Sequence, residues 1–165
     1  MEKAILDVTC GSRSIWFQKN NPLTVYMDKR EEHYTGLWGD SKRTCDIEPD
    51  IIADFTDIPF PDNSFYLVVM DPPHLTSVGD NAWLKKKYGR LEENWSKTLH
   101  DGFTECMRVL KPGGTLIFKW SEIQIPTRDV INALGEEPLF GHRSGKKMQT
   151  HWLTYIKTPV EEQGE

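Results

Sequence analysis

Phe65 to Met70 form an unbroken apolar run, Phe-Tyr-Leu-Val-Val-Met, that stops abruptly at Asp71-Pro72-Pro73-His74. A short apolar run rich in β-branched and aromatic residues, bounded by turn residues, reads as a buried strand. Both prolines have a fixed φ and no N–H, and Pro73 pushes its predecessor towards extended geometry. The strand therefore delivers one carboxylate to a stiff corner that can only accept hydrogen bonds. Asp71 and the Pro72 carbonyl are the acceptors, suited to the two hydrogens of an NH₂ group. Taken alone, Asp-Pro-Pro also reads as a strand stopped by a turn. The other motifs weigh between the two readings.

The segments before this strand repeat its pattern. Ala4 to Val8 is an apolar strand running into Asp7-Val8-Thr9-Cys10-Gly11-Ser12-Arg13, and Ser14 to Lys19 has helical character. Strand, tight turn and helix bring backbone N–H groups close to a ligand, although only Gly11 supplies glycine here. Leu23 to Met27 is a second strand ending in Asp28. An acid about 20 residues past such a turn binds ribose hydroxyls in doubly wound α/β sheets; Asp28 could also be a turn residue. Residues Arg30 to Pro49 are polar and read as a loop with partial helix. Ile51 to Ala53 is a third strand, ending in Asp54-Phe55. Ligands of open parallel sheets bind at the carboxyl ends of strands, which would gather Asp28, Asp54 and Asp71 along one crevice.

Beyond the corner, Leu75 to Arg90 is irregular and carries Trp83, Lys85, Lys86, Lys87 and Tyr88. A flap of aromatic and basic side chains over the crevice suits a planar, anionic substrate; Trp83 and Tyr88 could equally pack onto the fold. Leu91 to Leu110 reads as a long helix, with Leu99, Phe103, Cys106, Met107 and Leu110 at three- and four-residue intervals. Lys111-Pro112-Gly113-Gly114 marks its stop. Thr115 to Trp120 is a strand, Pro126 to Leu134 a short helix, and Pro138 to Phe140 and His151 to Lys157 an antiparallel strand pair.

Composition narrows the class. A chain of 165 residues with 38% hydrophobic and 27% charged residues is expected to make a single domain over residues 1–157, followed by an acidic tail at 158–165. The three cysteines, Cys10, Cys45 and Cys106, suggest reduced thiols. No Cys-x-x-Cys or paired-His spacing suggests a metal. The absence of a membrane-length apolar run or signal-like amino terminus leads to a cytoplasmic expectation. A net charge of −5 argues against coating nucleic acid by bulk electrostatics. Two local basic patches remain, Lys85-Lys86-Lys87 with Arg90, and His142-Arg143 with Lys146-Lys147.

In combination, the chain from Asp7 to Lys157 resembles the class I S-adenosylmethionine-dependent methyltransferases. The resemblance rests on the early turn and the later Asp-Pro-Pro corner. It extends to Asp54 through Phe65 and to Arg108-Val109-Leu110-Lys111-Pro112-Gly113-Gly114. It implies a Rossmann-like, doubly wound α/β fold with a seven-stranded, mostly parallel sheet and an antiparallel C-terminal strand. Asp71-Pro72-Pro73-His74 is similar to the Asp-Pro-Pro-aromatic motif of methyltransferases acting on planar exocyclic or amide nitrogens, including N6-adenine and N4-cytosine enzymes. Carried over, it implies S-adenosyl-L-methionine bound by Asp7, Val8, Thr9, Cys10, Gly11, Ser12 and Arg13, by Asp28 with Lys29, and by Asp54 with Phe55. Asp71, Pro72, Pro73 and His74 would then form the catalytic corner, and Trp83, Lys85, Lys86, Lys87 and Tyr88 the substrate side. The expected substrate is a nucleic-acid base, most readily adenine N6 in DNA or RNA. A protein partner could supply target recognition. A glutamine or small-molecule acceptor, or a catalytically silent binding subunit, are the alternatives. Thr9 and Arg13 stand where the family often has glycine, and His74 where it has Tyr, Phe or Trp.

Overall fold

The computed structural model describes residues 3–36, 44–79, 82–143 and 149–159. Lys146, Lys147 and most of the acidic tail therefore lie outside the described residues.

Seven strands form one sheet: β1 (Ile5–Asp7), β2 (Thr24–Asp28), β5 (Ile51–Ile52), β6 (Phe65–Met70), β7 (Leu110–Ser121), β8 (Phe140–Arg143) and β9 (Thr150–Ile156). Their order is β5-β2-β1-β6-β7-β9-β8. β5, β2, β1, β6 and β7 run parallel, and β9 runs antiparallel to both β7 and β8. This is the doubly wound, mostly parallel sheet with an antiparallel C-terminal strand expected from the sequence. The chain order reverses between β1 and β6, so the loops leaving these neighbouring strands diverge and open a crevice at their carboxyl ends.

Register sorts the side chains into two faces. Leu6 aligns with Val68, Val68 with Leu116, and Leu116 with Tyr155; Met70 aligns with Phe118 and Phe118 with Leu153. These residues are buried in one core with α2 (Trp95–Val109) and α3 (Thr127–Leu134). α2 contributes Leu99, Gly102, Phe103, Cys106 and Val109, a stripe at three- and four-residue spacing. The Phe103 ring meets Tyr155 edge-on at 4.9 Å. On the opposite face, Tyr26 aligns with Asp7, and Trp16 packs edge-on against Tyr26 at 5.3 Å. Phe140, Trp152 and Ile156 remain exposed. None of the helices among the described residues is long and apolar enough to cross a membrane.

Several expectations change. Ser14 to Lys19 is not helical but a series of turns. A six-residue segment is marginal as a helix, and its side chains are drawn into tertiary contacts: Trp16 Nε1 donates to Asp7 Oδ2 at 2.6 Å, and Arg13 adopts φ +55°. The polar stretch after Arg30 contains an antiparallel pair, β3 (Glu32–Thr35) and β4 (Thr44–Ile47), instead of partial helix. Alternation explains it, since Cys45 and Ile47 are buried between exposed Thr44 and Asp46. The irregular flap contains α1 (Trp83–Tyr88). α2 begins at Trp95 rather than Leu91, whose amide instead donates to the Leu75 carbonyl at 2.9 Å. It ends at Val109 with Leu110 as its C-cap, the Leu110 amide donating to the Cys106 carbonyl, and Lys111 through Gly114 belong to β7 instead of a glycine-stopped helix end. Gly113 takes φ +77° there, and its amide donates to the Lys157 carbonyl. β8 starts two residues later than the strand expected at Pro138.

Candidate active site

A cleft opens at the point where the strand order reverses. One wall comes from the loop after β1, with Val8, Thr9, Cys10, Gly11, Ser12 and Ser14. Asp28, Lys29 and Arg30 follow from the end of β2, Phe55 from the loop after β5, and Asp71 and Pro73 from the corner after β6. Lys87, Tyr88, Gly89 and Arg90 close the far side.

Polar contacts hold the first loop in place. Gly11 takes φ +47°, a left-handed conformation with little cost for glycine, and its amide donates to Asp28 Oδ2 at 3.0 Å. Asp28 Oδ1 accepts from the Arg30 amide and from Arg30 Nε. The Arg30 guanidinium also donates to the Lys86 carbonyl at 3.1 Å, anchoring α1 to the end of β2. Asp28 thus joins the glycine turn, its own strand end and the flap.

Asp7 is 1% exposed and does not line the cleft. It accepts from Trp16 Nε1 and from the Thr9 amide at 3.1 Å. Burial is the largest influence on its carboxyl and raises it to about 7; the two hydrogen bonds oppose this, and Asp71 and Asp28 add to it. Its place is under the loop, shaping it. The Cys10 thiol is likewise pushed up by burial.

Arg13 also faces away from the cleft. Its guanidinium donates to the Lys19 carbonyl, Asn20 Oδ1 and the Glu48 carbonyl, lies 3.5 Å from Asp50, and covers the Tyr26 ring at 3.9 Å. Thr9 uses its side chain as a bridge: its Oγ1 accepts from the Asp71 amide at 2.7 Å. The two side chains that replace glycine are therefore accommodated by contacts that fasten the loop.

At the corner, Asp71 Oδ2 accepts from Lys119 Nζ at 2.6 Å, both side chains being about one-fifth exposed. Lys119 projects from β7 on the same face as Asp71, which lies two residues beyond Val69, the partner of Ile117. Sequence reasoning missed Lys119. Its signal was a single charge in the otherwise apolar alternation of Thr115 to Trp120. Pro72 is buried. His74 does not line the cleft; its ring sits 5.6 Å from Tyr88 and 6.4 Å from Trp120. Burial lowers its basicity, while Asp71 opposes and Lys119 adds to that effect.

The remaining expected residues separate. Phe55 is buried in the core and still reaches the cleft wall. Asp54 lines a neighbouring hollow, where it lies 3.7 Å from Lys29 and holds its own turn through Thr56. Of the three strand-end acids, Asp28 and Asp71 share the cleft and Asp54 does not. Trp83 packs beside Cys45 and Ile47 of the β3–β4 pair. Lys85 and Lys86 line a separate depression with Arg30, Glu32 and Tyr34. Of the five residues expected on the substrate side, Lys87 and Tyr88 reach the cleft, and Lys87 Nζ lies 4.8 Å from the Tyr88 ring centre.

A scan against protein-family models found no match, and neither did a search of curated proteins. Solved structures do match. An S-adenosylmethionine-dependent methyltransferase from Methanosarcina mazei superposes with TM-score 0.55 at 15% identity, covering 96% of this chain and 94% of that one. The N-methyltransferase NodS from Bradyrhizobium japonicum gives 0.54 at 11% identity over 95% and 86%. A predicted O-methyltransferase from Agrobacterium tumefaciens gives 0.53 at 15% identity over 97% and 76%. The protein has the fold of S-adenosylmethionine-dependent methyltransferases. Nitrogen and oxygen enzymes both occur among these neighbours, so the fold leaves the acceptor open.

Proposed function

We propose that this protein is an S-adenosylmethionine-dependent N-methyltransferase acting on an exocyclic amine of a nucleic-acid base, adenine N6 foremost. The observation that carries the reading is Asp71 on the rim of the cleft whose other wall is the Thr9–Ser12 loop and Asp28. An acceptor carboxylate thus faces the place where a donor would lie.

The lining of the cleft suits S-adenosylmethionine, since small-molecule sites combine apolar walls with a few placed polar groups and this one has Phe55 on its wall and an acid at Asp28. Val8 to Ser12 would flank the methionine portion, Asp28 with Lys29 the ribose, and Phe55 the adenine. Bound there, the group supplies an electrophilic methyl on a sulfonium sulfur.

The chain's own residues prepare the nitrogen. An amine on a heteroaromatic ring is a poor nucleophile because its lone pair is delocalised. Asp71 accepts one N–H and the Pro72 carbonyl the other, turning the lone pair out of the ring plane. Positive charge grows on the nitrogen as it reacts, and a fixed acceptor stabilises that charge more than the neutral amine. The Thr9 hydroxyl holds Asp71 from behind through its amide. A base within a duplex must first be flipped out to reach the corner. Lys87 and Tyr88, with the other flap residues, are the assigned contacts to the nucleic acid.

The test is transfer of labelled methyl to DNA, RNA and cell lysate, followed by nucleoside analysis. Labelled N6-methyladenine is the expected product; label only in protein or small molecules overturns the acceptor. Asp71→Ala is expected to lower transfer about 10²–10³-fold while calorimetry still detects cofactor binding. Wild-type protein that takes up no S-adenosylmethionine would point to a silent binding subunit.

A further inference from the structure

Lys119 places an ammonium beside the one carboxylate assigned to hold the acceptor amine. The ammonium has three donor hydrogens and the carboxylate about four lone-pair sites, so their mutual bond leaves each with capacity to spare. No other hydrogen bond to either carboxylate oxygen of Asp71 is present among the described residues. The pair therefore offers an acceptor and a donor side by side, 2.6 Å apart.

An amidine edge, N=C–NH₂, presents the complementary pair. With C–N bonds near 1.33 Å and angles near 120°, its two nitrogens lie about 2.3 Å apart. In adenine these are N6 and N1, the ring nitrogen bonded to the carbon that carries the amine. Two nearly parallel hydrogen bonds fit this spacing: Asp71 accepts from N6, and Lys119 donates to N1. Bidentate recognition of this kind fixes the ring in its plane and in one orientation.

The surroundings of Lys119 favour such a role. Its neighbours along β7 on the same face are Ile117 and Ser121, and its Nζ lies 5.8 Å from the Trp152 ring centre across the strand pair. This cation stands near the carboxyl end of β7, behind Asp71 on the cleft rim, and does not itself line the cleft. A charged acceptor is disfavoured beside it, since an alkylammonium would meet a like charge.

Resting on the proposed function, we infer that Lys119 is a specificity-determining residue that reads the ring nitrogen next to the target amine, so that the site selects a neutral aminopyrimidine edge. A donor on that nitrogen draws electron density from the amine. The gain is accordingly in orientation and selection rather than in nucleophilicity.

Binding separates this inference from its parent reading without turnover. Short single-stranded oligonucleotides with one adenine, one 1-deazaadenine or one purine at the same position are titrated into the protein, and dissociation constants are read by fluorescence anisotropy. Loss of N1 is expected to weaken wild-type binding about tenfold or more, as for a lost base-edge contact. Lys119→Met is expected to bind adenine and 1-deazaadenine alike, and Lys119→Arg, which retains a donor, to recover part of the preference. Wild-type protein that prefers adenine over purine but accepts 1-deazaadenine equally overturns the role of Lys119 and leaves the amine clamp standing. Equal binding of all three overturns both. A preference for N1 that survives in Lys119→Met assigns the contact to another residue and overturns the inference.

Discussion

The Thr9 side chain and the Asp71 backbone are joined by a 2.7 Å hydrogen bond across two adjacent strand ends, with Oγ1 accepting from the amide. Loop and corner come from segments 62 residues apart, and this bond extends the β1–β6 pairing, with the Val8 amide donating to the Val69 carbonyl, into the two walls of the cleft. Thr9→Val keeps the shape and leaves the Asp71 amide without its acceptor. It is expected to destabilise the fold by about 1–3 kcal/mol and to lower methyl transfer. Thr9→Ser should stay near wild type. Thermal melts of the two variants provide the check, and equal melting temperatures would show that the bond carries no weight.

Asp7 should make stability depend on pH in a direction opposite to most carboxylates. Its folded pKa, about 7, lies above the ordinary value of 3.8. The folded state therefore binds more protons than the unfolded state between these values. The contribution is fully present below about pH 4 and is lost as pH rises through about 7, by at most ~1.4 kcal/mol per pH unit. Asp7→Asn removes the titration. The stability of wild type relative to Asp7→Asn, from urea melts at pH 5, 6, 7 and 8, should fall from pH 5 to about 7 and level off by pH 8. A constant difference across that range contradicts the assignment.

Gly102 makes room for Phe55. A Cβ at position 102 would sit 2.2 Å from the Phe55 ring and 3.1 Å from the Met70 methyl. In an exposed helix Gly→Ala stabilises by about 1 kcal/mol. Here overpacking reverses the sign, and Gly102→Ala is expected to cost about 1–3 kcal/mol. Because Phe55 lines the cleft, S-adenosylmethionine affinity should fall with it. Unchanged stability and affinity would mean that the ring moves freely.

Arg13 is expected to act through stability. Arg13→Ala removes its bonds to Lys19, Asn20 and Glu48 and its stacking on Tyr26. A lower melting temperature, with calorimetric affinity for S-adenosylmethionine changed less than about threefold, is the outcome anticipated from charge-assisted bonds worth ~1.5–3 kcal/mol each. A larger loss of affinity would return Arg13 to the cofactor wall.

The sheet was legible because its strands are short apolar runs that end in turn residues, and the stripe of α2 because Leu99, Phe103 and Cys106 follow the helical period. The β3–β4 pair was obscured by its polar residues, since only Cys45 and Ile47 mark its buried side. Ser14 to Lys19 misled because local periodicity says nothing of the Asp7 carboxylate that captures Trp16.

By itself the sequence determined most strands of the main sheet and the placing of acids at their ends, because these follow from local period and turn chemistry. Tertiary structure alone decided which of those acids share a cleft, that Asp7 and Arg13 serve the loop from beneath, and that Lys119 stands against Asp71. Such pairings join residues far apart in the chain, and their distances depend on sheet register and packing that no local pattern encodes.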